Sequence, residues 1–298
     1  MAIEEIWQEK FTKRKDGSGA TRERAYRTWK AVCKFAHKKK WDLDPSTITP
    51  KQMRLYLAER IEVISPRCVQ LEASHLRRAI KGAGQKIGDV RDPENPWSSA
   101  RMQVPKGSRI GGKTAANPVK LDAVRDQMPP DILAALGLIE ALGLRRKEAL
   151  MSDASLGEWM KELEKPESNI RGADLRIDRG TKGGRPRYTF IPVAQIDSVV
   201  SAVRAAQVSA ALNRGFVVVA EELELAMKRY TNCLYRLGLR GDDSGHGIRR
   251  AFAHRQFVYY RDRGLTETKA LKKLSHDLGH GDGRGRWVWN NYLLGGTA

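Results

Sequence analysis

Six side chains between residues 145 and 292 of this 298-residue chain have the types needed to hold a phosphodiester and attack it with a phenol: Arg145, Lys182, His246, Arg249, His280 and Tyr292. Guanidiniums stay charged at any physiological pH and present planar forks to non-bridging phosphate oxygens, so two of them suit a transition state that gains negative charge. A lysine and two imidazoles can carry protons to and from the attacking and leaving oxygens. A phenol is neutral at rest and must lose its proton as it attacks, which neighbouring cations assist. The set contains no clustered carboxylates of the kind that hold a divalent metal, and neither a metal nor another cofactor is expected.

Each residue has a local context. Arg145 lies in Leu142-Gly143-Leu144-Arg145-Arg146-Lys147-Glu148, where a glycine ends one apolar helix and the arginine precedes another. Lys182 lies in the turn Thr181-Lys182-Gly183-Gly184-Arg185-Pro186-Arg187. Leu175 and Ile177 before it, and Tyr188 and Phe190 after it, alternate as the apolar members of a β-hairpin. His246 and Arg249 fall at i and i+3 in His246-Gly247-Ile248-Arg249-Arg250-Ala251-Phe252-Ala253, and so share one helix face. Leu278-Gly279-His280 and Trp287-Val288-Trp289-Asn290-Asn291-Tyr292 supply the last two. His254 and His276 are assigned to structure or surface, and Tyr259 and Tyr260, inside the helix that starts at His246, to packing.

In this order the motifs resemble those of the tyrosine recombinases, the phage integrases and chromosome-dimer resolvases, from about residue 121 to the end. The resemblance implies that Arg145 and Arg249 clamp the scissile phosphate and that Glu148 buttresses the helix after Arg145. It makes Lys182 the proton donor to the leaving 5′ oxygen and His246 a proton acceptor or phosphate ligand. His280 would bond a non-bridging oxygen or the tyrosine, and Tyr292 would form a 3′-phosphotyrosyl bond. One spacing departs from the pattern. Tyr292 follows His280 by 292 − 280 = 12 residues. The usual gap of about nine would fall on Trp289, so the surrounding fold has to supply the context for this motif. Gly281-Asp282-Gly283-Arg284-Gly285-Arg286 reads as a glycine-rich insertion, and six residues follow Tyr292.

The elements that must position these groups are mostly helical. In the first third, Ala25, Trp29, Val32, Cys33 and Ala36 recur at helical spacing. Thr49-Pro50-Lys51-Gln52 predicts an N-cap, a first-turn proline and a capping box. Met53, Tyr56, Leu57, Ile61 and Ile64 make the next stripe, and Val69, Ala73, Leu76 and Ile80 another. Residues 93–118, rich in Pro, Gly, Ser and Lys, read as an extended basic linker. Beyond it come Ile132, Leu136, Ile139 and Leu142 on a helix that must be buried, then the hairpin, then helices again. The expected fold is mainly α with a small β-hairpin in the second domain. Residues 1–107 would form a helical, SAM-like core-binding bundle and 108–298 the catalytic domain, which the resemblance joins into a C-shaped clamp on duplex DNA.

Composition agrees with that partner. The chain has 54 Lys+Arg against 35 Asp+Glu, a formal net charge of +19 that favours a polyanion at long range. Residues 1–40 alone hold twelve basic and five acidic groups. With 41% hydrophobic residues a real core can form, but no run approaches the ~20 apolar residues of a spanning helix, so no membrane partner is expected. Met1 to Lys10 lacks the layout of a signal peptide, and three widely spaced cysteines, Cys33, Cys68 and Cys233, read as reduced core or near-core thiols of a cytoplasmic, nucleoid-associated protein. The resemblance implies a double-stranded recombination site as substrate, a monomer when free, a homotetramer on synapsed DNA, and compatibility with accessory DNA-bending proteins. Two other readings are a type IB topoisomerase-like relaxing enzyme and a non-catalytic DNA-binding regulator of the same fold.

Overall fold

The structure is a computed structural model that describes residues 19–41, 44–107, 114–213 and 215–295. The chain divides into two compact units, Met1–Arg109 and Ile110–Ala298.

The first unit is a helical bundle built from α1 (Gly19–Lys38), α2 (Pro50–Ile61) and α3 (Pro66–Gly82). The capping box at the start of α2 forms as its sequence requires: Gln52 N donates to Thr49 Oγ1, and Thr49 N donates to Gln52 Oε1 at 2.8 Å. Trp29, Val32, Met53, Tyr56, Leu57, Val69, Leu76 and Ile80 form the core. Ile61, expected on the α2 stripe, is 37% exposed because it lies at the last residue of that helix. Cys68 is exposed rather than near the core, since it occupies the first turn of α3. The segment from Pro93 is not extended linker at its start. Trp97 and Met102 insert into the bundle core, and Arg77 donates to the Trp97 carbonyl at 2.7 Å. Apolar anchors spaced too irregularly for a helix or strand period leave no periodic signature of this packing in the chain. Residues 108–113, like Met1 to Lys10, lie outside the described residues.

In the second unit the order is α4 (Pro118–Asp122), α5 (Pro130–Leu142), α6 (Arg146–Leu150), α7 (Asp153–Leu163), α8 (Ser168–Arg171), β1 (Ala173–Ile177), β2 (Arg187–Ile191), α9 (Ile196–Leu212), α10 (Leu223–Arg236), α11 (Gly245–Asp262), α12 (Glu267–Asp277) and α13 (Gly285–Val288). A π-helical turn, Trp289–Leu293, continues directly from α13. The strands pair antiparallel, with Leu175 opposite Thr189 and Ile177 opposite Arg187. Ile132, Leu136, Ile139 and Leu142 of α5 are fully buried, and α5 packs chiefly against α9 and α11. Trp159 of α7 donates its indole N–H to the Arg176 carbonyl at 2.7 Å, which fixes the hairpin to that core. A second cluster joins Phe252, Ala253 and Tyr260 of α11 to Leu271, Leu274 and Leu278, and to Val288, Tyr292 and Leu293.

The hairpin corrects one expectation. Tyr188 is 57% exposed, and the inward face of β2 is Arg187, Thr189 and Ile191. β1 keeps the expected phase, with Leu175 and Ile177 buried, while on β2 the period of two holds with its phase reversed. A buried carboxylate receives Arg187, and this outweighs the exposure of a tyrosine. Among the described residues no helix is long and apolar enough to cross a membrane.

Candidate active site

Gly143 ends α5 with φ of +58°, a left-handed cap that glycine adopts without penalty. A Cβ there would stand 2.2 Å from Phe252 of α11, so the absence of a side chain also lets the two helices close. That approach brings together Arg145, just before α6, and Arg249, one turn ahead of Phe252.

Glu148 of α6 is the buried anion around which the arginines gather. Its carboxylate takes Arg145 Nη1 at 2.5 Å and Arg187 Nη2 at 2.9 Å, and Arg249 Nη1 stands at 3.6 Å. Burial alone would raise its pKa, but Arg187, Arg249 and Arg145 overcome that and hold it at about 2. The buttress expected from the motif is present and serves three cations. Arg187 was not foreseen as one of them. It sits in the basic run after the hairpin turn, and only the phase of β2 turns it inward. Burial lowers its pKa to about 10, which leaves it charged at neutral pH.

The end of α12 supplies acceptors. The Leu278 carbonyl accepts from Arg249 Nη2 at 2.6 Å and from Arg145 Nη2 at 3.1 Å. Arg187 Nη1 donates to the Asp277 carbonyl, and Arg249 Nη1 to the Gly143 carbonyl. Gly279 has φ of +65°, and a Cβ would strike Arg187 Cδ at 2.4 Å, so the Leu278-Gly279-His280 turn can pass over this guanidinium only with glycine there. The Asp277 side chain, also unforeseen, accepts from Tyr260 Oη at 2.6 Å and from the Phe190 amide at 3.2 Å. Burial raises its pKa to about 6 despite those bonds. Tyr260 is thereby a packing and anchoring residue, and Tyr259 stacks on Phe190.

Tyr292 is 2% exposed and lies over this cluster. Its hydroxyl accepts from Arg249 Nε at 3.3 Å and lies 3.2 Å from His280 Nε2. The His280 ring packs on Trp287 with centroids 4.3 Å apart. Burial, then Arg249, Arg145, Arg187 and His246, push its pKa down to about 3, so at neutral pH it is an uncharged imidazole within hydrogen-bond reach of the phenol. His246 presents its ring to Tyr292 edge-on, 5.5 Å between centroids. Five of the six sequence-derived residues therefore converge.

Lys182 is the sixth. It is exposed in the hairpin turn, and no contact is seen between it and the cluster. The turn itself is close: a Cβ on Gly180 would stand 2.6 Å from the Lys147 carbonyl of α6.

The long spacing between His280 and Tyr292 is absorbed in two places. Asp282 turns back to pair with His276 at 3.1 Å and Lys272 at 3.5 Å, while Ser275 Oγ donates to the Gly281 carbonyl. The π-helical turn then takes up a further residue beside Tyr292.

A family model described as Integrase matches residues 104–255, just over half of the chain. A crystal structure of a lambda integrase dimer bound to a COC′ core site is similar at 16% identity, covering 97% of this chain and 96% of that one, with a TM-score of 0.58. A lambda integrase tetramer bound to a Holliday junction is similar at 15% identity, over 98% of this chain and 77% of that one, with a TM-score of 0.57. The Tn1549 transposon integrase with transposon right end DNA is similar at 12% identity, over 98% and 95%, with a TM-score of 0.59. At such identities these likenesses speak for the fold alone, and no curated protein sequence matches the chain. With the Integrase model spanning the turn of Arg145, the hairpin and the helix of His246 and Arg249, the chain belongs to the phage integrase, or tyrosine recombinase, family.

Proposed function

We propose that the protein is a site-specific recombinase that cuts and rejoins DNA through a 3′-phosphotyrosyl intermediate. The observation that carries this reading is the Tyr292 hydroxyl held between Arg249 Nε at 3.3 Å and His280 Nε2 at 3.2 Å within one chain. A phenol beside a neutral imidazole and a fixed cation is a nucleophile with its proton acceptor in reach.

In this reading Tyr292 attacks the scissile phosphorus and expels the 5′ oxygen. His280 Nε2 takes the phenolic proton, with His246 at the edge of the ring ready to bond a non-bridging oxygen. Arg145, 25% exposed in its side chain, meets the incoming phosphate first, and Arg249 stabilises the charge that builds on its oxygens. Lys182 protonates the leaving 5′ oxygen, brought in by movement of its exposed turn. A partner strand's 5′ hydroxyl then reverses the step and releases Tyr292. One phosphodiester replaces another, so the cycle consumes no ATP and these residues perform it without a metal.

The solved relatives are bound to core-site, Holliday-junction and transposon-end DNA, which supports duplex DNA as substrate and a tetramer as the synaptic form. The first unit would serve as the core-binding domain and the second as the catalytic domain. Integration, excision and resolution all use this chemistry.

The test is incubation with duplexes tiled across the DNA that flanks the protein's own coding sequence, followed by denaturing electrophoresis. The wild-type chain is expected to form a covalent complex on one of them. Tyr292→Phe is expected to bind the same duplex and form none. A covalent complex that survives Tyr292→Phe, or none with the wild type, would overturn the proposal.

A further inference from the structure

Beneath the Tyr292 turn lies a guanidinium that the proposed chemistry does not use. Arg250 follows Arg249 on α11, so its side chain leaves the helix about 100° away from the arginine cluster. It is 3% exposed. Its Nε donates to the Asn291 carbonyl at 3.1 Å, and its Nη1 reaches the Thr114 carbonyl at 3.3 Å and Asp242 Oδ1 at 3.4 Å. One turn further along α11, the ring of His254 lies against the Tyr292 backbone.

These bonds join three segments. Thr114 opens the stretch that enters the second unit, and that stretch is stitched to the start of α11: Ala116 N donates to the Gly247 carbonyl at 3.1 Å, and Asn117 N to Asp243 Oδ1 at 3.0 Å. Asp242 belongs to the turn before His246. Asn291 precedes Tyr292 in the last helical turn of the described chain, and its carbonyl accepts from Arg250 Nε. A cation so deep, with one partly exposed carboxylate at 3.4 Å, is a poor way to stabilise a fold. A methionine of similar volume would avoid the desolvation. What the guanidinium gives, and a methionine would not, is direction.

We infer that Arg250 is a positioning residue for the nucleophile, tying the carbonyl beside Tyr292 to the entry segment at Thr114 and the turn before His246, and so setting how far the phenol stands from Arg249 and His280. This rests on the reading of Tyr292 as the attacking group.

The test uses Arg250→Met and Arg250→Lys in the full chain, with the duplex on which the wild type forms its covalent complex. Single-turnover adduct formation, duplex affinity and thermal midpoint are read for each. Arg250→Met should slow adduct formation on the order of 10²-fold, the loss that a misplacement of about 1 Å brings. Its duplex affinity should stay within about twofold of the wild type, and the fold should stay intact with at most a modest drop in thermal midpoint, because the Asn291 and Thr114 carbonyls lose a donor while the desolvation of the cation is relieved. Arg250→Lys, which keeps one donor, should recover part of the rate. Wild-type cleavage rates in both variants would overturn the inference and leave the recombinase reading standing. Loss of folding or of duplex binding in both variants would also overturn it, because Arg250 would then be structural. A wild type that forms no adduct on any tiled duplex would remove the recombinase reading, and this inference with it.

Discussion

Glu148 faces three guanidiniums and is what allows them to sit within one small volume of the second unit. Removing its charge would leave buried cations without their counter-charge, so Glu148→Gln should destabilise the fold by about 3 kcal/mol or more in denaturant unfolding. An unchanged midpoint would mean the arginines do not depend on it. The pH dependence follows in sign. The folded value of about 2 lies below the ordinary 4.5, so the stabilisation is complete above the ordinary value and disappears as pH falls through the folded one. Glu148→Gln should flatten that acid limb. His280 behaves as a buried neutral base. Its folded value of about 3 lies below the usual 6.5, so the unfolded chain takes up the proton first, and stability falls as pH drops below 6.5. The His280 ring resonance should show no titration between about pH 5 and 8, the range in which an ordinary imidazole changes charge. A midpoint inside it would contradict the neutral proton acceptor.

At the scale of elements, the site depends on the close crossing of α5 and α11 at Gly143 and Phe252. Gly143→Ala would force both a left-handed backbone and an overlap with the ring, and a loss of about 1–3 kcal/mol is expected by thermal unfolding. A neutral result would show that the crossing can relax. Much of this level was legible from the chain. The stripe on α5, the capping box of α2 and the i, i+3 pair of His246 and Arg249 are local patterns that tertiary structure only had to preserve. What was not legible depends on partners distant in sequence. The phase of β2 is decided by Glu148, 39 residues before Arg187. Trp97 and Met102 pack without a period, and the Asp277 carboxyl is fixed by Tyr260 and the Phe190 amide. The gap of twelve residues between His280 and Tyr292 looked like a defect in the motif. A loop pinned by Asp282 and one π-helical turn bring the phenol to His280 all the same.

For the molecule as a whole, the surplus of +19 sets the terms of binding. Duplex affinity should fall linearly in log–log form with salt, with a slope of about −0.9 for each phosphate neutralised. A salt-independent affinity measured by titration would argue against backbone recognition. The central claim is that one chain assembles the phenol, its proton acceptor and its phosphate clamp, and the sequence offers a direct way to test it. Trypsin cutting after Arg286 releases residues 287–298, in which Tyr292 is the sole phenol, whereas Tyr259 and Tyr260 leave together in residues 256–261. Mass spectrometry of the nuclease-trimmed covalent complex should find the nucleotide on residues 287–298. The same modification on residues 256–261, with 287–298 unmodified, would contradict the account.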